Sequence, residues 1–187
     1  MYIIIIVFML LLTFSWLFYV NYIENKVKRE MLESIKNNPY FELRAQSINM
    51  TLKQLGLESD PNDDLYGIVM DWSMKDVIAT VVSFKTGDAS LYLSSGQIFI
   101  GGYSHESILN ASIEFINLGK KFLSKAKKIE SNVQIKEDKV YFHFLTESGR
   151  YYIVEEKTKI DDKSSDILDL FHAANEIITE YRILSKK

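Results

Sequence analysis

The chain has 187 residues, of which 47% are hydrophobic and 25% charged, a composition that suits one packed domain with an appendage and argues against a disordered tail. Its net charge of −3 offers no broad attraction for nucleic acid, which is not expected as a partner. The absence of cysteine excludes disulfides, thiolate metal sites and cysteine nucleophiles.

Residues 2–20 carry no charge, and Thr13 and Ser15 are their only clearly polar side chains. As a helix this stretch spans roughly 28 Å, near the hydrocarbon thickness of a bilayer. Trp16, Tyr19 and Tyr22 lie toward its C-terminal end, where aromatic rings favour the membrane interface. The expectation is a single transmembrane helix that anchors the chain in the lipid bilayer through residues 2–20. A cleaved signal peptide needs a basic start and a small-x-small cleavage site, and neither is present. Lys26, Lys28, Arg29 and Lys36 follow the apolar stretch. The positive-inside rule places them in the cytoplasm, which makes the chain a single-pass cell-membrane protein with its N-terminus outside and its globular domain cytoplasmic.

Ile23, Val27, Met31 and Ile35 recur every four residues and continue the helix as a juxtamembrane stalk. Asn37-Asn38-Pro39 ends it. Pro39 then opens a new helix with the apolar stripe Ala45, Ile48, Leu52 and Leu55, stopped at Gly56. The segments are an anchor over 1–22, a helical stalk over 23–38 and an α+β globular domain over 39–187. The acidic loop Glu58–Asp64 lacks the ligand spacing of an EF-hand and reads as a solvated turn. Strands are expected over Leu65–Trp72, Val77–Phe84 and Ser90–Ser94, with a short one at Ile98–Ile100. A long helix follows from Ser104 to about Lys128, then strands Lys139–Thr146 and Arg150–Glu155 about the Glu147-Ser148-Gly149 turn. The last helix runs from Ser165 to Leu184.

The order after the anchor is therefore α-β-β-β-α-β-β-α. It predicts an α+β fold with a mainly antiparallel sheet of about five strands and three packed helices. The Val77–Phe84 strand is apolar on both sides, so either helices cover both faces of the sheet or one face meets a partner.

Four segments carry a resemblance: Tyr66-Gly67-Ile68-Val69-Met70-Asp71-Trp72, Ala79-Thr80-Val81-Val82-Ser83-Phe84, Thr86-Gly87-Asp88-Ala89-Ser90-Leu91-Tyr92 and Ile100-Gly101-Gly102. Together they resemble a family of uncharacterised bacterial proteins. The resemblance implies that Tyr66–Leu184 is one module, and it brings no known activity, cofactor or catalytic residue.

No catalytic, cofactor or metal residue is assigned from the sequence. His105, His143 and His172 are far apart and form no i, i+4 pair for zinc. His143 alternates with Phe142 and Phe144 and reads as an exposed strand residue. Two surfaces remain as candidates. Tyr141, Tyr151 and Tyr152 offer contact area with hydrogen-bonding tips, as at protein interfaces. Gly101, Gly102, Ser104, His105 and Glu106, with Asp71, offer a pocket. There glycines admit a ligand to backbone N–H groups, a helix start attracts anions, and Asp71 and His105 are acid/base candidates. That stretch lacks the lysine and spacing of a phosphate loop. The first expectation is a membrane-tethered protein-interaction module, with a protein partner or self-association, rather than an enzyme. The alternative is a membrane-bound enzyme or small-ligand sensor that uses the pocket.

Overall fold

The computed structural model describes residues 16–29, 38–61, 63–129 and 133–186. The chain divides into two compact units, Met1–Pro39 and Tyr40–Lys187. In the first, residues 16–29 are helical and turn polar after Val20, where Asn21, Glu24, Asn25, Lys26, Lys28 and Arg29 follow. Among the described residues no helix is long and apolar enough to cross a membrane. That corrects the expected transmembrane anchor over residues 2–20, of which residues 2–15 lie outside the described residues, as do residues 30–37 of the expected stalk. The bilayer attachment, the single-pass topology and the cytoplasmic placement were all derived from that anchor, and they lose their basis with it.

The second unit is α+β. Its elements are α1 (Tyr40–Ile48), β1 (Leu65–Ser73), β2 (Ile78–Phe84), β3 (Ala89–Leu93), β4 (Ile98–Phe99), α2 (Glu106–Gly119), β5 (Lys127–Lys128), β6 (Lys139–Thr146), β7 (Gly149–Glu156), α3 (Lys157–Asp161) and α4 (Leu168–Leu184). The strands form one seven-stranded sheet in the order β4-β3-β2-β1-β6-β7-β5, antiparallel at every pairing. About five strands were expected. The two shortest, β4 and β5, have two residues each, too few for an alternating pattern to be read. Lys127 and Lys128 become a strand only because they pair with Tyr152 and Tyr151.

The helix expected from Ser104 to Lys128 ends at Gly119. A Cβ at Gly119 would meet Ile68 Cδ1 at 2.1 Å, so the glycine lets α2 lie close on the sheet. Glycine also weakens the helix there. The chain then turns through a 3₁₀ segment, Leu123–Lys125, toward β5. The helix expected from Pro39 likewise stops early, at Ile48, and Leu52–Gly56 form turns ending on Gly56 at φ 68.

Strand alternation divides the interior into two layers. Ile68, Met70, Val81, Leu91, Phe142 and Phe144 pack against α2 and α4 through Ile108, Phe115, Leu170, Ala174 and Ile177. On the other face, Val69, Val82, Tyr92 and Leu145 pack beneath Tyr40 of α1, with Leu52, Leu55 and Leu57 of the following turns against them. Helices thus lie on both faces. The long pair α2 and α4 covers one, and the nine-residue α1 covers part of the other.

Candidate functional site

β1 places Ile68, Met70 and Trp72 toward the α2–α4 layer, so Asp71 points to the α1 side. There the sheet register sets it opposite Thr80 of β2 and Tyr141 of β6. Asp71 is 0% exposed. A carboxylate buried this deeply persists only when its charge and lone pairs are satisfied. Arg44 of α1 supplies the counter-charge as a fork, donating from Nε at 2.8 Å and Nη2 at 2.6 Å. Thr80 Oγ1 donates to Oδ1 at 2.7 Å, and His143 Nε2 lies 3.0 Å from Oδ2. Since Thr80 spends its proton on Asp71, the Tyr40 hydroxyl donates to Thr80 Oγ1, at 2.9 Å.

Burial alone would push the Asp71 carboxyl up. The hydrogen bonds from Arg44 and His143, together with the Arg44 charge, outweigh it and hold the carboxyl at about 2. For Tyr40 burial dominates, reinforced by the Asp71 charge, and its hydroxyl is pushed up to about 12. Asp71 is therefore an ionised acceptor and Tyr40 a neutral donor across the neutral range.

His143 corrects the expectation of an exposed strand residue, because it is 2% exposed. Its ring is stacked on Tyr141 with centroids 6.4 Å apart and planes 11° from parallel. An ionised carboxylate only accepts, so Nε2 carries the proton that points at Asp71. Nδ1 is buried and has no hydrogen-bond partner among the described residues. His143 lines a cavity of about 440 Å³ together with Arg44, Ala45, Ile48, Asn49, Ile129, Val133 and Arg150. Arg150 Nη1 donates to Asn49 Oδ1 at 3.2 Å, and no carboxylate among the described residues pairs with its guanidinium.

The pocket expected from Asp71 with Gly101–Glu106 does not assemble. A Cβ on Gly102 would meet Ile108, Tyr181 and Ala89, all of the α2–α4 layer, whereas Asp71 faces α1. The sheet lies between the two halves. The turn before α2 is already served within the fold: Ser104 Oγ donates to the Gly101 carbonyl at 2.8 Å, and His105 N–H to the Gly102 carbonyl at 3.0 Å. Burial pushes the Asp88 carboxyl up, while backbone N–H groups of Tyr103 and Ala89 act in the opposite sense. Asp88 thus sits where an anionic ligand was expected. His105 and Glu106 are exposed. His105 lines a second cavity of about 390 Å³ with Ile98, Phe99, Ile100, Tyr181, Leu184 and Ser185.

The tyrosine surface also changes. Tyr141 is 4% exposed, and its hydroxyl accepts from the Lys136 N–H at 3.1 Å. Tyr151 and Tyr152 are half-buried. The three do not form an exposed patch. The acidic loop acts as a clasp rather than a solvated turn. Asp63 pairs with Lys85 and Lys120, and Asp64 accepts from the Glu147 and Ser148 N–H groups at the β6–β7 turn. Among the described residues no group of side chains could hold a metal ion.

Of this network only Asp71 was singled out from the sequence. A carboxylate between the apolar run Leu65–Met70 and Trp72 demands a partner, but its partners lie 27 and 72 residues away at Arg44 and His143. Comparison with known proteins finds no matching family model, no matching curated protein and no matching solved structure.

Proposed function

We propose that the Tyr40–Lys187 unit is a receptor for a small anionic ligand, held in the cavity between α1 and the β6–β7 hairpin. The observation that carries this reading is a cavity lined by Arg44, Arg150 and His143, whose Nδ1 is buried without a hydrogen-bond partner among the described residues. Buried polar atoms without partners are rare in native folds and often mark a functional site. Arg44 is balanced by Asp71, whereas no carboxylate among the described residues pairs with Arg150. Ala45, Ile48, Ile129 and Val133 supply apolar wall, which excludes water and strengthens the attraction of an anion.

Calorimetric titration with phosphate and with small carboxylates tests the reading. At least one anion binds the full chain, and Arg150→Gln weakens it about tenfold or more, the usual cost of one charge-assisted contact. If no anion binds, or if Arg150→Gln leaves the affinity unchanged, the reading fails.

A protein-docking role is the second reading, including self-association. It is favoured by Ile100 and Tyr103, which are 68% and 62% exposed beside β4. The hairpin tyrosines lose that part because Tyr141 is buried. Sedimentation of the full chain would then show concentration-dependent assembly that Ile100→Asp abolishes. A monomer at every concentration withdraws the self-association form of this reading.

A further inference from the structure

We propose that two copies of this chain pair edge to edge through β4, which joins their sheets across a two-fold axis. This deepens the self-association form of the docking reading and rests on it.

The sheet ends in β4 on one side and β5 on the other, and among the described residues no strand pairs with the outer side of either. An open edge presents backbone groups to any second strand, and native proteins guard such edges with charge, lysine above all. The β5 edge is guarded in this way, because both of its residues, Lys127 and Lys128, are exposed lysines. Two such edges repel one another. The β4 edge has no such guard. From Ala89 to Ser104 the chain carries no charged side chain and no proline. A neutral edge has nothing that opposes a second copy of itself. Of the two ends, only β4 therefore suits a self-complementary contact.

The pairing of β4 with β3 fixes what faces outward. Phe99 pairs with Leu91 and Ile98 with Tyr92, and the Leu93 N–H donates to the Gln97 carbonyl at 2.8 Å. Hydrogen-bonded pairs alternate along an antiparallel ladder, so Gln97 and Phe99 turn their backbone groups toward β3 and Ile98 turns its own outward. Antiparallel pairing of two copies about Phe99 then sets Ile98 of one opposite the partner's Ile100. Ile100 is 68% exposed, and Ile98, Phe99, Tyr181 and Leu184 line a cavity of about 390 Å³ beside it. Pairing carries each exposed Ile100 to the rim of the other copy's cavity, where its apolar surface leaves water. With β4 only two residues long the contact is small, and the association belongs to the weak, transient class.

The test uses the full chain. Because it has no cysteine, Gln97→Cys takes a single nitroxide label at an exposed position just before β4, and Lys127→Cys takes one at the opposite edge. Six strand spacings put β5 roughly 29 Å from β4. Sedimentation from about 10 μM to about 1 mM covers the range of a weak contact. The chain reaches a dimer and stops there. The spectrum of the Gln97 label broadens as the dimer forms, through the label of the partner, and that of the Lys127 label does not. Ile100→Lys gives β4 the guard that β5 has and weakens association about tenfold or more, with the native urea midpoint because the side chain is exposed. A Gln97 label that stays sharp while the chains associate overturns the β4 pairing and leaves self-association through another surface standing. So does broadening at Lys127, or a folded Ile100→Lys protein that associates as the native chain does. Should that variant fail to fold, the two labels decide alone. A chain that sediments as a monomer at every concentration overturns the pairing and the self-association reading together.

Discussion

Gly102 is held between two side chains and a backbone oxygen. A Cβ there would stand 2.5 Å from Ile108 Cγ2, 2.7 Å from the Tyr181 hydroxyl and 3.0 Å from the Ala89 carbonyl. The last two are joined by a 2.7 Å hydrogen bond that ties α4 to β3. Burial raises the Tyr181 hydroxyl above its ordinary range, so it stays a donor. A methyl group at residue 102 would have to push apart that bond or move Ile108, which is fully buried. Gly102→Ala is expected to lower stability by roughly 1–3 kcal/mol, the usual cost of overpacking, read as a lower urea midpoint with unchanged slope. An unchanged midpoint would show that the turn before α2 yields freely. In the sequence the same glycine suggested a ligand cradle, since a Gly-Gly pair before a helix looks alike in either use. Only the fold shows which groups crowd it.

At the level of elements, one ion pair joins α1 to the sheet. The helix has nine residues, and only Tyr40 and Ser47 in it are buried. Arg44 reaches from it to Asp71, and Tyr40 to Thr80. Removing one member of a buried pair strands the other's charge, a loss of about 3–5 kcal/mol. Arg44→Met should destabilise by roughly that amount. Asp71→Asn in the same background should recover part of it, because the stranded charge is gone. The double-mutant cycle from urea melts is expected to give a coupling of at least about 1 kcal/mol. Additive losses would mean that α1 is held by its apolar contacts alone. The strands were legible in the sequence because β1, β2 and β6 are long and rich in branched and aromatic residues. Helix ends were less so: Gly119 stops α2 through its approach to Ile68, a contact made across layers. The apolar N-terminal stretch matched a membrane span by length and composition, but the described helical residues 16–29 are too polar in their second half to bear it out.

Across the whole molecule, the buried network makes stability depend on acid. Asp71 is held at about 2, against roughly 3.9 for an aspartate in an unfolded chain. Between these values the unfolded state binds more protons than the folded one, so stability rises with pH. The contribution is fully present above pH about 4 and is lost as the pH falls through about 2; the shift corresponds to roughly 2–3 kcal/mol. Asp63, Asp64 and Glu155 are also held below their ordinary values; in each, hydrogen bonds or lysine partners overcome the upward push of burial. They are partly exposed and add less, because solvent screens them. Asp88 works in the opposite sense. Its carboxyl is raised by burial, so what it contributes is present at low pH and lost as the pH rises. Urea midpoints measured from pH 6 down to pH 2 should therefore fall, and Asp71→Asn should be less stable at pH 6 yet show a shallower acid limb than the native chain. Asp88→Asn should make that limb steeper. An Asp71→Asn protein with the native acid limb would move the loss to the clasp formed by Asp63 and Asp64 at the far end of β1, where Lys120→Gln would then have to flatten it.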